Sequence, residues 1–277
     1  MIVGAGPTGM TAAIELNRFG IPVRLIDKLL EPITTSRAIG VQPRTLELLE
    51  QRSLADAMLE AGNKDIAGSI YGHGKLLFRM EFSGIDSSYR YLLGISQAET
   101  ERILRERLAR QGVAIEWGVT FIAFAQADRD GSLTATLRHS DGRLEEFEPS
   151  YLIGAEGAHS IIRSTLGMEF KGKSREEYYA LGDLFIDADL LETDFHIFFS
   201  EYGFLGLYPM GNRRFRMFAS NPLSQNSKDP RPGLEELQKI YDMRSHSGEI
   251  SRSGLEFMVS HQQPHGEPVR DKPHLLG

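Results

Sequence analysis

The 277-residue chain contains no cysteine. Disulfides, thiolate nucleophiles and cysteine-ligated metals are therefore excluded from its chemistry. That composition suits a reducing compartment, and a cytoplasmic location is the expectation. Basic charge is also scarce: 31 Lys and Arg stand against 38 Asp and Glu, a net charge of −7. With no cationic surplus to displace phosphate counterions, the balance argues against a nucleic-acid partner. No apolar run approaches the roughly 18 residues of a membrane span, and no basic segment leads into an apolar one at the N-terminus, so neither a membrane association nor a signal peptide is expected. A serine-hydrolase elbow of the G-x-S-x-G type is absent. His261 and His265 have helical spacing but are interrupted by Pro264, which argues against a metal pair.

What is present begins at residue 1. Met1-Ile2-Val3 reads as the end of a buried strand and runs into Gly4-Ala5-Gly6-Pro7-Thr8-Gly9. From Pro7 to Phe19 the spacing of Met10, Ala13, Ile14 and Leu16 predicts a helix, stopped at Gly20. Residues 21–27 predict a second strand ending in Asp27. In a strand–turn–helix context, the first glycine permits the tight turn, the second lets backbone N–H groups approach a pyrophosphate, and the third allows close helix–strand packing. An acid closing the next strand suits a ribose and disfavours a 2′-phosphate, so the bound dinucleotide is FAD or NAD.

Other segments are placed by the same reasoning. Pro43 opens a helix, and Ser96-Gln97-Ala98-Glu99 is a capping box opening another that stops at Gly112. Glu101–Arg105 and Glu106–Arg110 are i,i+4 pairs expected on its exposed side. Asp141-Gly142 marks a hairpin within 133–149, and 151–155 is a further strand. Residues 66–94 and 181–220 are strand-rich, 234–244 is an isolated helix, and 221–233 is the most linker-like stretch. Spacing alone favours Arg37 and Arg44 as surface arginines, although guanidinium groups there would suit a diphosphate. Glu156-Gly157 is either a ligand-facing carboxylate at a strand end or a strand-to-helix turn. The aromatics of 195–218 are either sheet core or the wall of an aromatic site.

Taken in order, these pieces resemble a known family. Gly4-Ala-Gly6-Pro-Thr-Gly9, Asp27, Ser36-Arg37-Ala38, Arg44-Thr45-Leu46-Glu47, Gln97 ahead of Glu99, and Gly154-Ala-Glu156-Gly157-Ala-His-Ser with Arg163 look like the single-component FAD-dependent aromatic hydroxylases, the para-hydroxybenzoate hydroxylase-like group that includes phenol and polyketide hydroxylases. The resemblance implies an α/β fold: a Rossmann-like FAD-binding domain of the glutathione-reductase-like type, with an inserted, mainly β substrate domain. It assigns 1–65 and 96–172 to the first and 66–95 and 173–270 to the second. It implies that Gly4, Gly6, Pro7, Thr8 and Gly9 cradle the FAD pyrophosphate and that Asp27 holds the adenosine ribose. Arg37 and Gln97 would meet the diphosphate and ribityl region, Arg44 matches a frequent FAD-contacting arginine, and the backbone near Val119 would meet the adenine. Glu156-Gly157, with Arg163 beside it, matches a family Asp-Gly motif, departing from it in having Glu for Asp. Arg214 matches an arginine facing flavin or substrate; without the resemblance it is a charged hairpin residue.

The implied reaction is hydroxylation of a phenolic or polyketide ring by O2 through a flavin C4a-hydroperoxide, with NAD(P)H as co-substrate. A flavin reductase on the same fold and a non-catalytic FAD-binding fragment are the competing readings. A single tryptophan, Trp117, excludes the two-tryptophan motif of flavin halogenases, and Val113 stands where a Baeyer–Villiger fingerprint needs His. The family continues into a Gly-Asp motif and a helical part that this sequence lacks, which implies a portion of a longer enzyme. The partners implied are a small aromatic substrate and O2, and the reading leaves room for a homodimer.

Overall fold

The computed structural model describes residues 1–33, 39–127, 131–172, 179–220, 233–245, 249–251 and 257–260. The chain opens with β1 (Ile2–Val3), α1 (Pro7–Arg18), β2 (Leu25–Asp27), β3 (Gly40–Val41), α2 (Pro43–Glu50) and α3 (Ala55–Ala61). Strands β4 (Asn63–Asp65), β5 (Ala67–Gly72), β6 (Lys75–Glu81) and β7 (Leu92–Gly94) follow. Next come α4 (Gln97–Arg110), β8 (Ile115–Trp117), β9 (Val119–Gln126), β10 (Leu133–His139), β11 (Leu144–Phe147), β12 (Ile153–Gly154) and α5 (Ile161–Thr165). The chain continues through β13 (Tyr179–Asp187), β14 (Asp194–Ser200), β15 (Gly203–Pro209), β16 (Arg214–Ser220), α6 (Leu234–Ser245), β17 (Glu249–Ser251) and β18 (Phe257–Ser260). Two compact units result, residues 1–62 with 95–171, and residues 63–94 with 172–277. Among the described residues no helix is long and apolar enough to cross a membrane.

The first unit is built on a parallel sheet in the order β12-β1-β2-β8. Its central strands carry Ile2, Val3, Leu25 and Ile26, all buried, as a parallel strand covered on both faces requires. Helix α1 buries Met10, Ala13 and Ile14 and packs against α4. Gly20, at φ +73°, ends α1: Ile21 N–H reaches back to the Leu16 carbonyl and Gly20 N–H to Asn17, the paired bonds of a Schellman cap. That cap, followed by Pro22 with no N–H, shortens the strand expected over 21–27 to Leu25–Asp27. Gly112 closes α4 in the same way, with Val113 N–H on the Leu108 carbonyl.

At the other end of α4, Ser96 Oγ accepts from Glu99 N–H at 3.2 Å. The Glu99 carboxylate turns to Arg102, so among the described residues the Ser96 half of the expected capping box is the half observed. One expectation is corrected here. Glu101 is buried, not exposed; its carboxylate accepts from Gln97 Nε2 at 2.8 Å, and Arg105 stands 3.9 Å away. The antiparallel sheet β11-β10-β9 carries the expected hairpin at Gly142 and shares a core with the parallel sheet through Val3, Ile26, Phe121, Leu137 and Ile162. Arg24 stitches the two sheets together, bidentate to Glu116 on β8 and to Glu145 on β11, over the ring of Phe147. Hydrogen bonds from Arg24 and then His139 pull the Glu145 carboxyl down to about 2.

The second unit is an eight-stranded sheet in the order β17-β13-β16-β15-β14-β5-β6, with β18 also on β13. Only β14–β5 is parallel. Along β13, β15 and β16 alternate residues point to one face, where Leu184, Ile186, Leu205, Leu207, Phe215 and Met217 pack with Leu237, Ile240 and Tyr241 of α6. The opposite face holds Arg216 bidentate to Asp183 at 2.7 and 2.9 Å, both buried. Buried His196 donates from Nε2 to the Leu191 carbonyl, which only accepts; Nδ1 is thereby left to accept from Tyr71 OH at 3.2 Å. The linker-like stretch 221–233 lies, but for Gly233, outside the described residues.

Two buried carboxylates in this unit are driven apart by their surroundings. Asp194 accepts from Arg79 at 2.6 and 2.8 Å and from Ser69 at 2.9 Å, and the arginine holds its carboxyl below the ordinary range. Asp65 has only Asn63, at 2.7 Å on Oδ1, while Oδ2 is buried with no hydrogen-bond partner among the described residues. Burial pushes Asp65 up to about 7, with repulsion from Asp194 adding to it. Folding therefore takes up a proton at Asp65 between its ordinary pKa of 3.8 and about 7. This contribution to stability is full below the lower value and lost as pH rises through the upper one. Three powers of ten at about 1.4 kcal/mol each cap the loss at about 4 kcal/mol. Asp65→Asn, which cannot ionise, is expected to flatten the pH dependence of the unfolding free energy across this window and to be more stable than the parent above pH ~7. Chemical denaturation at a series of pH values measures both; equal slopes for the two proteins would contradict it.

Candidate dinucleotide-binding site

The site starts where β1 runs out. Gly4 takes φ +101°, a backbone state that side chains disfavour, and a Cβ there would lie 2.4 Å from the Ala155 carbonyl oxygen. A Cβ on Gly9 would fall 1.8 Å from the Gly4 oxygen. These two glycines are therefore required by packing: α1 and the turn after β12 press directly on the backbone of the loop. Gly6 differs, since among the described residues nothing lies within 4 Å of a Cβ placed there. It is the N-cap of α1, has no side chain to cap the helix, and is followed by Pro7 at the first helical position. Among the described residues no protein acceptor meets the N–H groups of Gly6, Thr8 or Gly9. Open space above Gly6, three free donors and the positive end of the α1 dipole fit an anionic diphosphate brought close to the backbone.

Asp27 closes β2 beside this turn. Its Oδ2 accepts from Ala5 N–H at 2.7 Å and Oδ1 from Leu29 N–H at 2.9 Å. The carboxylate thus braces the glycine loop, a role that its place at the end of β2 does not signal, while each oxygen keeps a further lone pair for a ligand hydroxyl. Gly118, at φ +71°, donates to the Leu29 carbonyl at 2.6 Å, which brings Val119 to the loop that follows Asp27. Val119 itself is buried at the start of β9.

The remaining expected residues divide. The Ala155–Glu156 peptide abuts Gly4, so that turn joins the site through its backbone. The Glu156 side chain is directed elsewhere: it accepts from Ser160 Oγ at 2.6 Å and from Ile161 N–H at 2.9 Å, capping α5. Arg163 bonds the Gly157 and Ala158 carbonyls and covers Phe170. Both side chains therefore hold the turn, whose Gly157 needs its φ of +78° for backbone shape. Arg44 is a largely exposed residue of α2 paired with Glu47 at 2.7 Å. Gln97 is turned along its own helix to Glu101. Arg37 lies outside the described residues. Arg214 is half exposed on β16, 4.0 Å from Asp183, and the buried arginine of that strand is its neighbour on the same face, Arg216. The alternation Arg214-Phe215-Arg216 carried that signal, since two arginines at i and i+2 must share a face.

A strand, a glycine turn and a helix with free N-terminal donors define a dinucleotide-binding protein. More particularly, the chain belongs to the FAD binding domain family, which matches residues 1–258. It is 39% identical over 212 residues to 6-methylpretetramide 4-monooxygenase of Streptomyces rimosus, covering 76% of this chain and 37% of that one. It is 30% identical over 245 residues to pentachlorophenol 4-monooxygenase of Sphingobium chlorophenolicum, covering 87% of this chain and 44% of that one. Among solved structures, the flavin-dependent monooxygenase PieE, in complex with FAD and substrate, has the same fold: TM-score 0.77 at 20% identity, over 93% of this chain and 48% of that one. The chain thus spans less than half the length of these relatives.

The three glycines are expected to respond differently to alanine. Gly4→Ala and Gly9→Ala force a methyl into backbone and should lower the melting temperature markedly, with a cost of about 2 kcal/mol or more. Gly6→Ala should leave it within about 2 °C of the parent in the absence of ligand. Thermal unfolding of the three variants checks this, and a strong effect of Gly6→Ala would contradict it.

Proposed function

We propose that this chain is the FAD-binding and substrate-binding part of a monooxygenase that hydroxylates a phenolic or polyketide aromatic ring, using O2 and NAD(P)H. The observation that carries the reading is the glycine turn, in which, among the described residues, three N–H groups meet no protein acceptor and the space above Gly6 is clear. The names of the relatives support the chemistry: both are monooxygenases, and one acts on pentachlorophenol, a phenol.

In this reading Gly6, Thr8 and Gly9 donate to the diphosphate, and Pro7 fixes the start of the helix that presents them. Asp27 takes the adenosine ribose, and the backbone at Val119 meets the adenine. Arg37 and Gln97 approach the diphosphate and ribityl chain and Arg44 contacts FAD, with the Arg44 and Gln97 side chains leaving or extending beyond Glu47 and Glu101 to do so. The Glu156-Gly157 turn, held by Arg163, supports the glycine loop from behind. Residues 63–94 and 172–277 form an inserted, mainly β substrate domain, and residues 1–62 and 95–171 a Rossmann-like domain of the glutathione-reductase-like type. Arg214 presents a cation toward flavin or substrate from that sheet. Bound FAD supplies electron transfer from NAD(P)H to O2 and thence oxygen to the ring; the chain supplies binding, orientation and exclusion of water. A cytoplasmic enzyme is consistent with the absence of cysteine.

The full-length protein is expected to purify with flavin absorbance, to consume O2 and NAD(P)H faster when a phenol is added, and to place an oxygen atom from labelled O2 in the product. Gly6→Ala should weaken FAD binding by about tenfold or more. NAD(P)H oxidation without oxygen incorporation would replace the monooxygenase by a reductase, and absence of flavin binding would overturn both.

A further inference from the structure

The two faces of the eight-stranded sheet differ in what they leave unsatisfied. The face under α6 is closed, with Leu205, Leu207, Phe215 and Met217 fully packed. The side chains between them, Tyr208, Arg216 and Phe218, belong to the opposite face. There the ring of Phe218 lies 5.1 Å from Tyr179 and 5.3 Å from Phe204, centre to centre, and all three are partly buried. Tyr208 stands beside this apolar wall. Phe195 stacks on its ring at 5.7 Å, and Arg216, directly across on β16, is held by Asp183. A Cβ on Gly206 would lie 3.1 Å from Tyr208 Cε2 and 3.6 Å from its hydroxyl oxygen. The ring therefore lies along its own strand and carries the hydroxyl over Gly206, whose cross-strand partner is Phe218. Among the described residues nothing hydrogen-bonds that hydroxyl, although Tyr208 is partly buried and a buried tyrosine O–H normally finds a partner. Aromatic rings around one placed polar group are the make-up of a site for an aromatic ligand.

We propose that the substrate ring rests on this wall and that the Tyr208 hydroxyl anchors it, donating a hydrogen bond to a phenolic oxygen bound as the phenolate. The inference rests on the monooxygenase reading above and adds the group that orients the ring. Burial, and then repulsion from Asp65 on β4, hold the Tyr208 hydroxyl above its ordinary range, so it stays a donor at neutral pH. The other charges facing it are Arg216 and, behind that, Asp183. Donation to a charged oxygen favours the ionised phenol, whose proton goes to solvent. The phenolate is the electron-rich form that an electrophilic oxygen attacks. A ring without the hydroxyl leaves Tyr208 unpaired and is selected against.

Binding of p-nitrophenol to the oxidised full-length protein tests this, because the phenolate absorption band reports the ionisation of the bound ring. Tyr208→Phe keeps the ring and its stacking on Phe195, and with no protein partner lost it should melt within about 2 °C of the parent. It should weaken p-nitrophenol binding about tenfold or more and raise the pH at which the bound phenol ionises by about one unit. The methyl ether p-nitroanisole, which cannot ionise, should lose far less affinity. Binding of p-nitrophenol as the neutral phenol, or as tightly to Tyr208→Phe as to the parent, would overturn the assignment of Tyr208 and leave the monooxygenase reading in place. A parent that binds no p-nitrophenol would also overturn the anchor; one that in addition places no labelled oxygen in any phenol would overturn the reading beneath it.

Discussion

The Gly4 carbonyl oxygen occupies the place that a side chain on Gly9 would need, with 1.8 Å between them, and Gly4 is itself pressed against the Ala155 carbonyl. Three backbone segments therefore meet with no side chain between them. Because α1 can approach so closely, its first turn is aimed across the end of the parallel sheet, and its unpaired N–H groups collect at one point. Asp27 strengthens the arrangement by accepting from Ala5 inside the loop. The Arg24 network then ties the parallel sheet to the hairpin, with both carboxylates bound in bidentate fashion. The geometry suited to a diphosphate is a consequence of close packing, and of the three loop glycines Gly6 is the one that the packing of the described residues does not demand.

Much of this was legible in the residues. The glycine spacing, the acid at the end of β2 and the helix stops at Gly20 and Gly112 follow local rules, and the structure bears out each as backbone geometry. What the residues did not reveal was the destination of side chains. Glu101 has the i,i+4 spacing of a surface pair, yet Gln97 draws it inward. Glu156 closes a strand as a ligand-facing acid would, yet Ser160 Oγ and the Ile161 amide lie nearer and take it. Asp65 carries no sequence signal at all, because its burial arises from strands distant in sequence. Long-range burial, more than local spacing, separates a ligand contact from a cap.

In the second unit the same physics acts on a sheet. One face is an apolar core under α6. The other buries Asp183 and Arg216 as a bidentate pair; losing either partner would strand the other charge in a dry setting. Arg79, an exposed residue of β6, makes a bidentate pair with buried Asp194, and among the described residues of this unit Asp65 is the acid pushed to titrate near neutrality. The inward pull of Asp194 also turns Arg79 over the sheet, leaving Lys75 and Glu81 as the charges at the two ends of β6. An interaction made to satisfy a buried carboxylate thereby shapes the outer rim of the sheet.

In the proposed function the N–H groups of Gly6, Thr8 and Gly9 receive the diphosphate of FAD. Amide chemical shifts and hydrogen exchange, followed residue by residue as FAD is titrated into the isotopically labelled protein, test it most directly. These three amides are expected to shift and become protected at the concentration where flavin fluorescence changes, with the Ala5 amide, already bonded to Asp27, shifting least among the loop donors. FAD binding that leaves Gly6, Thr8 and Gly9 unchanged would contradict it.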